Sequence, residues 1–172
     1  MIEIVPADEA LLLDLLNTTP VVDGTQRDEL GDAEAGRRWL AAHDRPASEG
    51  EWRALLDARG ALQEIVRGRS APATVARFVE GVSYRPALDG TGLVWSLDLP
   101  DGRSAAARAV LTWDALRVSS PGRLRPCANP ECRRFLIDHS KPNSARWCSM
   151  ALCGNRMKVR RHYQRTHQPR TS

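Results

Sequence analysis

The stretch Arg146-Trp147-Cys148-Ser149-Met150-Ala151-Leu152-Cys153-Gly154-Asn155-Arg156-Met157-Lys158-Val159-Arg160 holds two of the four cysteines in this 172-residue chain. The others are Cys127 and Cys132, so the full pattern is C-x4-C-x15-C-x4-C. Two close pairs joined by a longer connector suit a tetrahedral metal site. Each pair bends the chain so that two thiolates reach one ion, and the connector brings the pairs together. Four thiolates leave no coordination position open, so the expected occupant is one structural zinc ion and not a catalytic one. An iron–sulfur cluster, a redox dithiol pair and plain buried cysteines are the competing readings, and His139 or His162 can stand in for one cysteine. A metal also solves a stability problem. The segment has few large apolar residues (Phe135, Leu136, Ile137, Trp147, Leu152, Val159), too few to fold a unit this small. Structural zinc contributes on the order of 10 kcal/mol to such units.

The last cysteine pair leads directly into a helix. Ser149 is its expected N-cap, and no proline follows until after Thr166. On a wheel of 3.6 residues per turn, Leu152, Val159 and Tyr163 share one narrow sector, read as a buried stripe. Lys158, Arg161 and Arg165 fall opposite, and Arg156 and Arg160 flank the stripe. No acid follows Asp138. Solvated helices normally mix both signs, so cations alone point to a polyanion. Arg146, Asn155, Arg156, Lys158, Arg160, Arg161 and Arg165 are the candidate nucleic-acid contacts. Asn155 can instead bond backbone at the knuckle, and Arg156 can pair with Asp138. Trp147 is expected to cover the metal site.

The same asymmetry marks the whole chain. Residues 121–172 carry 12 Lys/Arg and two acids, a net charge of +10, and hold all four cysteines. The remaining 120 residues carry 13 basic and 19 acidic side chains, or −6. The formal +4 of the chain is an average of two unlike parts. Ser119-Ser120-Pro121-Gly122 is the expected boundary between a domain over 1–120 and a module over 121–172.

The quoted stretch, with Phe135-Leu136-Ile137-Asp138-His139-Ser140 and the first cysteine pair, resembles the CGNR-type zinc finger of bacterial stress-induced transcriptional regulators. In that family an N-terminal α/β regulatory domain precedes the finger. Leu12-Leu13-Asp14-Leu15-Leu16-Asn17-Thr18 resembles that domain's opening "LDxxNT" segment. The resemblance implies Cys127, Cys132, Cys148 and Cys153 as zinc ligands, and a role in transcription regulation and the stress response. Arg133-Arg134 departs from the family, whose members often carry less charge after the second cysteine.

Upstream, the residues predict an α+β fold: a mostly helical domain with a β-hairpin, followed by the small four-cysteine module ending in the basic helix. Glu9–Leu16 reads as a buried first helix stopped near Asn17-Thr18-Thr19-Pro20. Residues 20–31 read as a long loop. Asp32 caps a short helix burying Trp39 and Leu40, with His43 on its solvent side. Ser48 and Glu51 form a capping box that opens the strongest helix, 49–67. Pro72 starts another helix over 72–82. Tyr84–Leu88 and Leu93–Leu99 read as half-buried strands around Asp89-Gly90-Thr91-Gly92, with Pro86 marking an edge. A helix over 104–117 follows. Trp39, Trp52, Trp95 and Trp113 are expected in the core.

These readings exclude some functions. Nowhere does a run of about 18 apolar residues allow a membrane span. Met1 to Leu16 carries no Lys or Arg, and Asp14 interrupts its leucines, which argues against a signal peptide. A cytoplasmic protein with reduced thiols is expected. Asn17, Thr18, Asp23 and Asp28 can form a polar cleft beside the first helix. Nothing supplies a nucleophile–base pair, so no enzyme is expected. Double-stranded DNA is the expected partner, read by the zinc module. The N-terminal domain then senses a small-molecule effector or forms a homodimer. The alternative is an adaptor whose zinc module binds an acidic protein of the transcription machinery. Single-stranded RNA stacking on Tyr163 and Trp147 is a third reading.

Overall fold

The structure is a computed structural model and describes residues 6–167. Among the described residues, six α-helices and three two-stranded antiparallel sheets make an α+β fold. Helix α1 (Pro6–Leu16) carries Leu11, Leu12, Leu15 and Leu16, all buried. Ala10 and Asp14 are exposed on its other side, so the leucines form one face, packed by α3 (Glu49–Val66) and α5 (Ser104–Ser119). Helix α2 (Ala33–Ala42) begins at Asp32, whose carboxylate accepts from Ala35 N at 2.8 Å. It crosses α3 closely at Gly36. A Cβ there would lie 2.0 Å from Trp52 Cδ1. Only glycine fits, and Trp52 then donates to Leu30 O at 2.9 Å.

His43 is not on the solvent side. Its ring stacks on Trp39 with centroids 3.8 Å apart and reaches Asp14 Oδ2 at 3.1 Å. It therefore ties the end of α2 to α1. The expected loop over 20–31 contains a small hairpin, β1 (Val21–Val22) and β2 (Thr25–Gln26). Asp23 and Gly24 turn it with φ of 51° and 77°, the left-handed pair that suits a two-residue hairpin. The segment after Pro72 is shorter than expected. A 3₁₀ turn over Pro72–Val75 passes into α4 (Ala76–Val79), and Gly81 at φ 78° stops it.

Ser48 caps α3 by accepting from Glu51 N at 3.2 Å. The other half of the expected capping box is absent. The Glu51 carboxylate, 1% exposed, turns instead to the start of α5. It accepts from Ser104 N at 2.8 Å, Ser104 Oγ at 2.7 Å and Ala105 N at 3.0 Å. Helix α5 has no side-chain cap of its own, so α3 satisfies its orphan amides.

Strands β3 (Ser83–Asp89) and β4 (Gly92–Asp98) form the expected hairpin, but it is largely exposed and not half-buried. Trp95 is 56% exposed, against the expectation of a core residue. Trp113 is buried, and Trp39 and Trp52 are half-buried against the core.

The basic module contributes two further strands, β5 (Leu124–Pro126) and β6 (Phe135–Ile137), paired Leu124 to Ile137 and Pro126 to Phe135. Phe135 is fully buried in the same core as the α1 leucines, and Leu124 and Ile137 pack against that core. The body and the module thus share one hydrophobic interior.

Candidate metal centre and nucleic-acid interface

The four cysteines lie where two turns of the chain meet. Residues 127–132 form the first knuckle beyond β5. Met150–Gly154 forms the second, a wide turn in which Gly154 N reaches back five residues to Ser149 O at 3.0 Å. Ser149 is the cap expected, accepting from Leu152 N at 3.4 Å. The regular helix α6 (Asn155–His167) then begins.

All four Sγ atoms lie within 4.8 Å of one another. Cys148 Sγ is 3.8 Å from both Cys132 Sγ and Cys153 Sγ. Tetrahedral bonds of about 2.3 Å to a common centre place their sulfurs roughly 3.8 Å apart. A disulfide needs about 2.05 Å, and all four thiols are free. The donor set and spacing therefore fit a metal ion. Neither His139 nor His162 joins the group.

Burial raises the thiol of Cys132 to about 11, with the charge of Cys127 adding to it. Burial raises Cys148 further, and the charges of Cys132 and Cys127 act in the same direction. Against burial, the hydrogen bond from Asn129 draws Cys153 down, with the neighbouring sulfurs helping. Sulfurs this close repel one another as thiolates, and a central cation reverses that balance.

The sulfurs are also held from outside. Cys148 N donates to Cys127 Sγ at 3.4 Å, and Arg134 N to Cys132 Sγ at 3.5 Å. Asn129, 1% exposed, donates its Nδ2 to Cys153 Sγ at 3.4 Å and accepts from Glu131 N at 3.1 Å. Such outer contacts orient ligands and spread their charge. Asn129 was missed from the sequence. Its signal was the Asn-Pro pair inside the first knuckle, where an Asn side chain commonly bonds backbone two residues on.

Gly154 does not donate to sulfur. Its role is close approach: a Cβ would lie 2.5 Å from Met150 Sδ and 3.3 Å from Trp147 Cδ1. Arg156 does not pair with Asp138. That carboxylate, 3% exposed, takes Arg125 at 2.5 Å, Ala145 N at 2.7 Å and Ser140 N at 2.9 Å. Hydrogen bonds from Ser140, with Ala145 and the Arg125 charge, hold it down to about 2 despite burial. Asp138 thus ties the connector between the cysteine pairs to β5.

The expected buried stripe, which runs from the second knuckle into α6, is exposed: Leu152 at 51%, Val159 at 69% and Tyr163 at 63%. The helix starts at the second knuckle, and among the described residues nothing buries that side of it. Asn155, Arg156, Lys158, Arg160 and Arg161 are all exposed. Arg165 lies outside the described side chains. Arg146 and Arg161 both sit over the Trp147 ring, 5.4 and 5.9 Å from its centroid, so Trp147 joins the turn before the second knuckle to α6. Arg160 pairs with Glu131 at 2.9 Å, bridging α6 to the first knuckle. Arg156, Arg133 and Arg134 line a cleft of about 670 Å³ with Cys132, Cys148 and the β1–β2 hairpin.

The residues suggested as a polar cleft are engaged elsewhere. Asn17 bonds Phe135. Arg59 bridges Thr18 Oγ1 at 3.0 Å and both oxygens of Asp28 at 2.6 and 2.7 Å. Asp23 is the exposed turn residue of the small hairpin. Among the described residues no helix is long and apolar enough to cross a membrane.

Comparison with known families agrees with this geometry. Residues 123–166 match the CGNR zinc finger, and residues 9–128 match the model described as a putative stress-induced transcription regulator. No curated protein matches the chain. The second match covers well over half of the 172 residues, and the chain belongs to that stress-induced regulator family, with a CGNR zinc finger as its C-terminal part.

Proposed function

We propose that this chain is a zinc-dependent, DNA-binding transcription regulator. One structural zinc ion, held by Cys127, Cys132, Cys148 and Cys153, fixes the start of α6, and α6 meets the phosphate backbone. The observation that carries this reading is the exposure of α6: its cations extend from a four-thiolate knuckle with no acid after Asp138. Helix cations set at one register by a rigid anchor neutralise several phosphates at once. Arg146, Asn155, Arg156, Lys158, Arg160, Arg161 and Arg165 are the proposed contacts. The division of labour falls at residue 120, with the acidic part as body and the basic part as reader.

The body supplies sensing. An apolar cavity of about 350 Å³ lies between the segment 72–79 and α5, lined by Val75, Val79, Val110, Leu111 and Trp113. Its size fits a small-molecule effector.

The experiment is binding of zinc-loaded protein to duplex DNA over a range of salt. The log–log slope should be steep, about −0.9 per neutralised phosphate. Arg161→Ala should flatten it. Glu131→Gln, which releases Arg160, should strengthen binding. Metal analysis should return one zinc per chain. Absence of DNA binding at low salt with zinc loaded overturns the reading.

The exposed stripe of Leu152, Val159 and Tyr163 favours a second reading. A helix with an apolar stripe between cations also fits the groove of an acidic protein of the transcription machinery. A pull-down insensitive to nuclease, with no shift of duplex DNA, would support that adaptor role.

A further inference from the structure

The β3–β4 hairpin has an apolar face and one intact edge, and together they specify an occupant. The register pairs Asp89 with Gly92, Ala87 with Val94, Pro86 with Trp95 and Tyr84 with Leu97. Asp89 and Gly92 flank a two-residue turn, so they exchange both of their hydrogen bonds. Alternation then assigns the remaining groups. The N–H and C=O of Leu93, Trp95 and Leu97 point away from β3, along the outer edge of β4. On the outer edge of β3 the corresponding residues are Tyr84, Pro86 and Leu88. Pro86 has no N–H, so that edge is broken at its middle.

The β4 edge is unbroken, and among the described residues its sheet has no third strand. Trp95 stands at the centre of Gly92–Asp98. A second β4 laid antiparallel about a two-fold axis at Trp95 would set Trp95 against Trp95, Leu93 against Leu97, and Gly92 against Asp98. Every outward N–H and C=O of these three residues then finds its counterpart. The apolar faces of both hairpins, including Leu88 at 82% and Leu93 at 59% exposure, join on one side of a four-stranded sheet.

Charge selects the same occupant. The only charge on β4 is Asp98, which pairs with Arg85 of its own hairpin at 2.7 Å and would face glycine across the axis. The other exposed apolar stripe, on α6, is flanked by cations of one sign and cannot meet its own copy without repulsion. We propose that two copies of this chain associate through the β4 edge, with Trp95 on the dyad, as an isologous dimer. This does not depend on what α6 binds.

The test is sedimentation of the full-length, zinc-loaded protein over micromolar concentrations. A dimer is expected, and Trp95→Glu, which places two acids on the axis, should weaken it more than about tenfold with helical content unchanged. Should that variant unfold, Trp95→Cys decides. Paired residues that exchange hydrogen bonds sit about 5.5 Å apart at Cα, within disulfide reach. Trp95→Cys should therefore cross-link to itself under mild oxidation, and Ser96→Cys, which would face Val94, should not. A monomer throughout the range overturns the proposal, as would be seen if a different protein covers this face. So does a dimer that survives Trp95→Glu and gives no Trp95→Cys cross-link.

Discussion

Asn17 clasps the backbone of Phe135 from 118 positions away: its Oδ1 accepts from Phe135 N at 2.7 Å and its Nδ2 donates to Phe135 O at 3.3 Å. A side-chain amide carries its acceptor and its donors on separate atoms, so it can meet the N–H and the C=O of one residue together. Arg67 closes the other side. Its guanidinium lies 4.5 Å from the Phe135 ring centroid and donates to Arg133 O at 3.0 Å. The strand that leaves the first cysteine pair is therefore gripped by α1 and by the end of α3.

Asn17→Ala should cost about 1–3 kcal/mol, because it leaves the Phe135 amide without its partner in a partly buried place. Asn17→Asp keeps an acceptor for Phe135 N and loses the donor, so its cost should be smaller. Urea unfolding gives the magnitude. Hydrogen exchange at the Phe135 amide locates it, and an unchanged exchange rate in Asn17→Ala would remove the clasp from consideration.

Metal removal should destabilise the helical body as well as the finger. Phe135 belongs to the body core yet sits three residues after Cys132, so a finger that loosens withdraws an aromatic from that core. Truncating a buried Phe costs about 3–5 kcal/mol. Melting of the full chain, followed by helical circular dichroism with and without a chelator, should show a drop of roughly 10 °C. In Phe135→Ala the chelator should have much less effect on the body, since the two changes remove the same contact. Independent melting of body and finger would contradict the shared core.

The cysteine spacing, the Ser149 cap and the position of the basic helix could be read from residue order because each depends on neighbours close in the chain. What could not be read depends on distant partners. The Leu152, Val159 and Tyr163 stripe has the period of a buried face, yet burial requires a second element opposite it, and periodicity does not supply one. Trp95 failed for the same reason. Asn17 looked like a cleft residue because a conspicuous polar side chain after a buried helix carries no sign of which backbone it will meet. The Ser48–Glu51 pair has the spacing of a capping box, but Ser104 and Ala105, 53 and 54 residues on, present bare amides that take the carboxylate.

That relation makes Glu51 a sensitive position. Glu51→Ala strips the first amides of α5 of their only side-chain acceptor inside the core, and should cost about 3 kcal/mol. Glu51→Gln retains one acceptor oxygen of the same shape and should cost less, but loses the anion at the positive end of α5. Measured by urea unfolding of both variants, the order Ala worse than Gln is expected. Equal values would mean that side-chain volume, and not the amide bonds, matters at this site.

The pairing of Asp28 with Arg59 predicts an acid limb. The hydrogen bonds from Arg59 hold the Asp28 carboxyl below its ordinary value of 3.8, against the opposing effect of burial. In the unfolded chain the carboxyl returns to that ordinary value. Its contribution is therefore complete above about pH 4 and is lost as pH falls through the lower folded value. Asp28 is 41% exposed, so solvent screens part of the charge term and the geometry of the two hydrogen bonds matters more. Asp28→Asn should be less stable than the parent at neutral pH, and the two should converge as the medium becomes strongly acidic. Comparing both chains in the same chelated state removes the effect of metal loss in acid from the difference. A gap between the two urea midpoints that stays constant from neutral pH into strong acid would show that the Asp28 charge contributes nothing, and that the remaining hydrogen bonds alone hold Arg59.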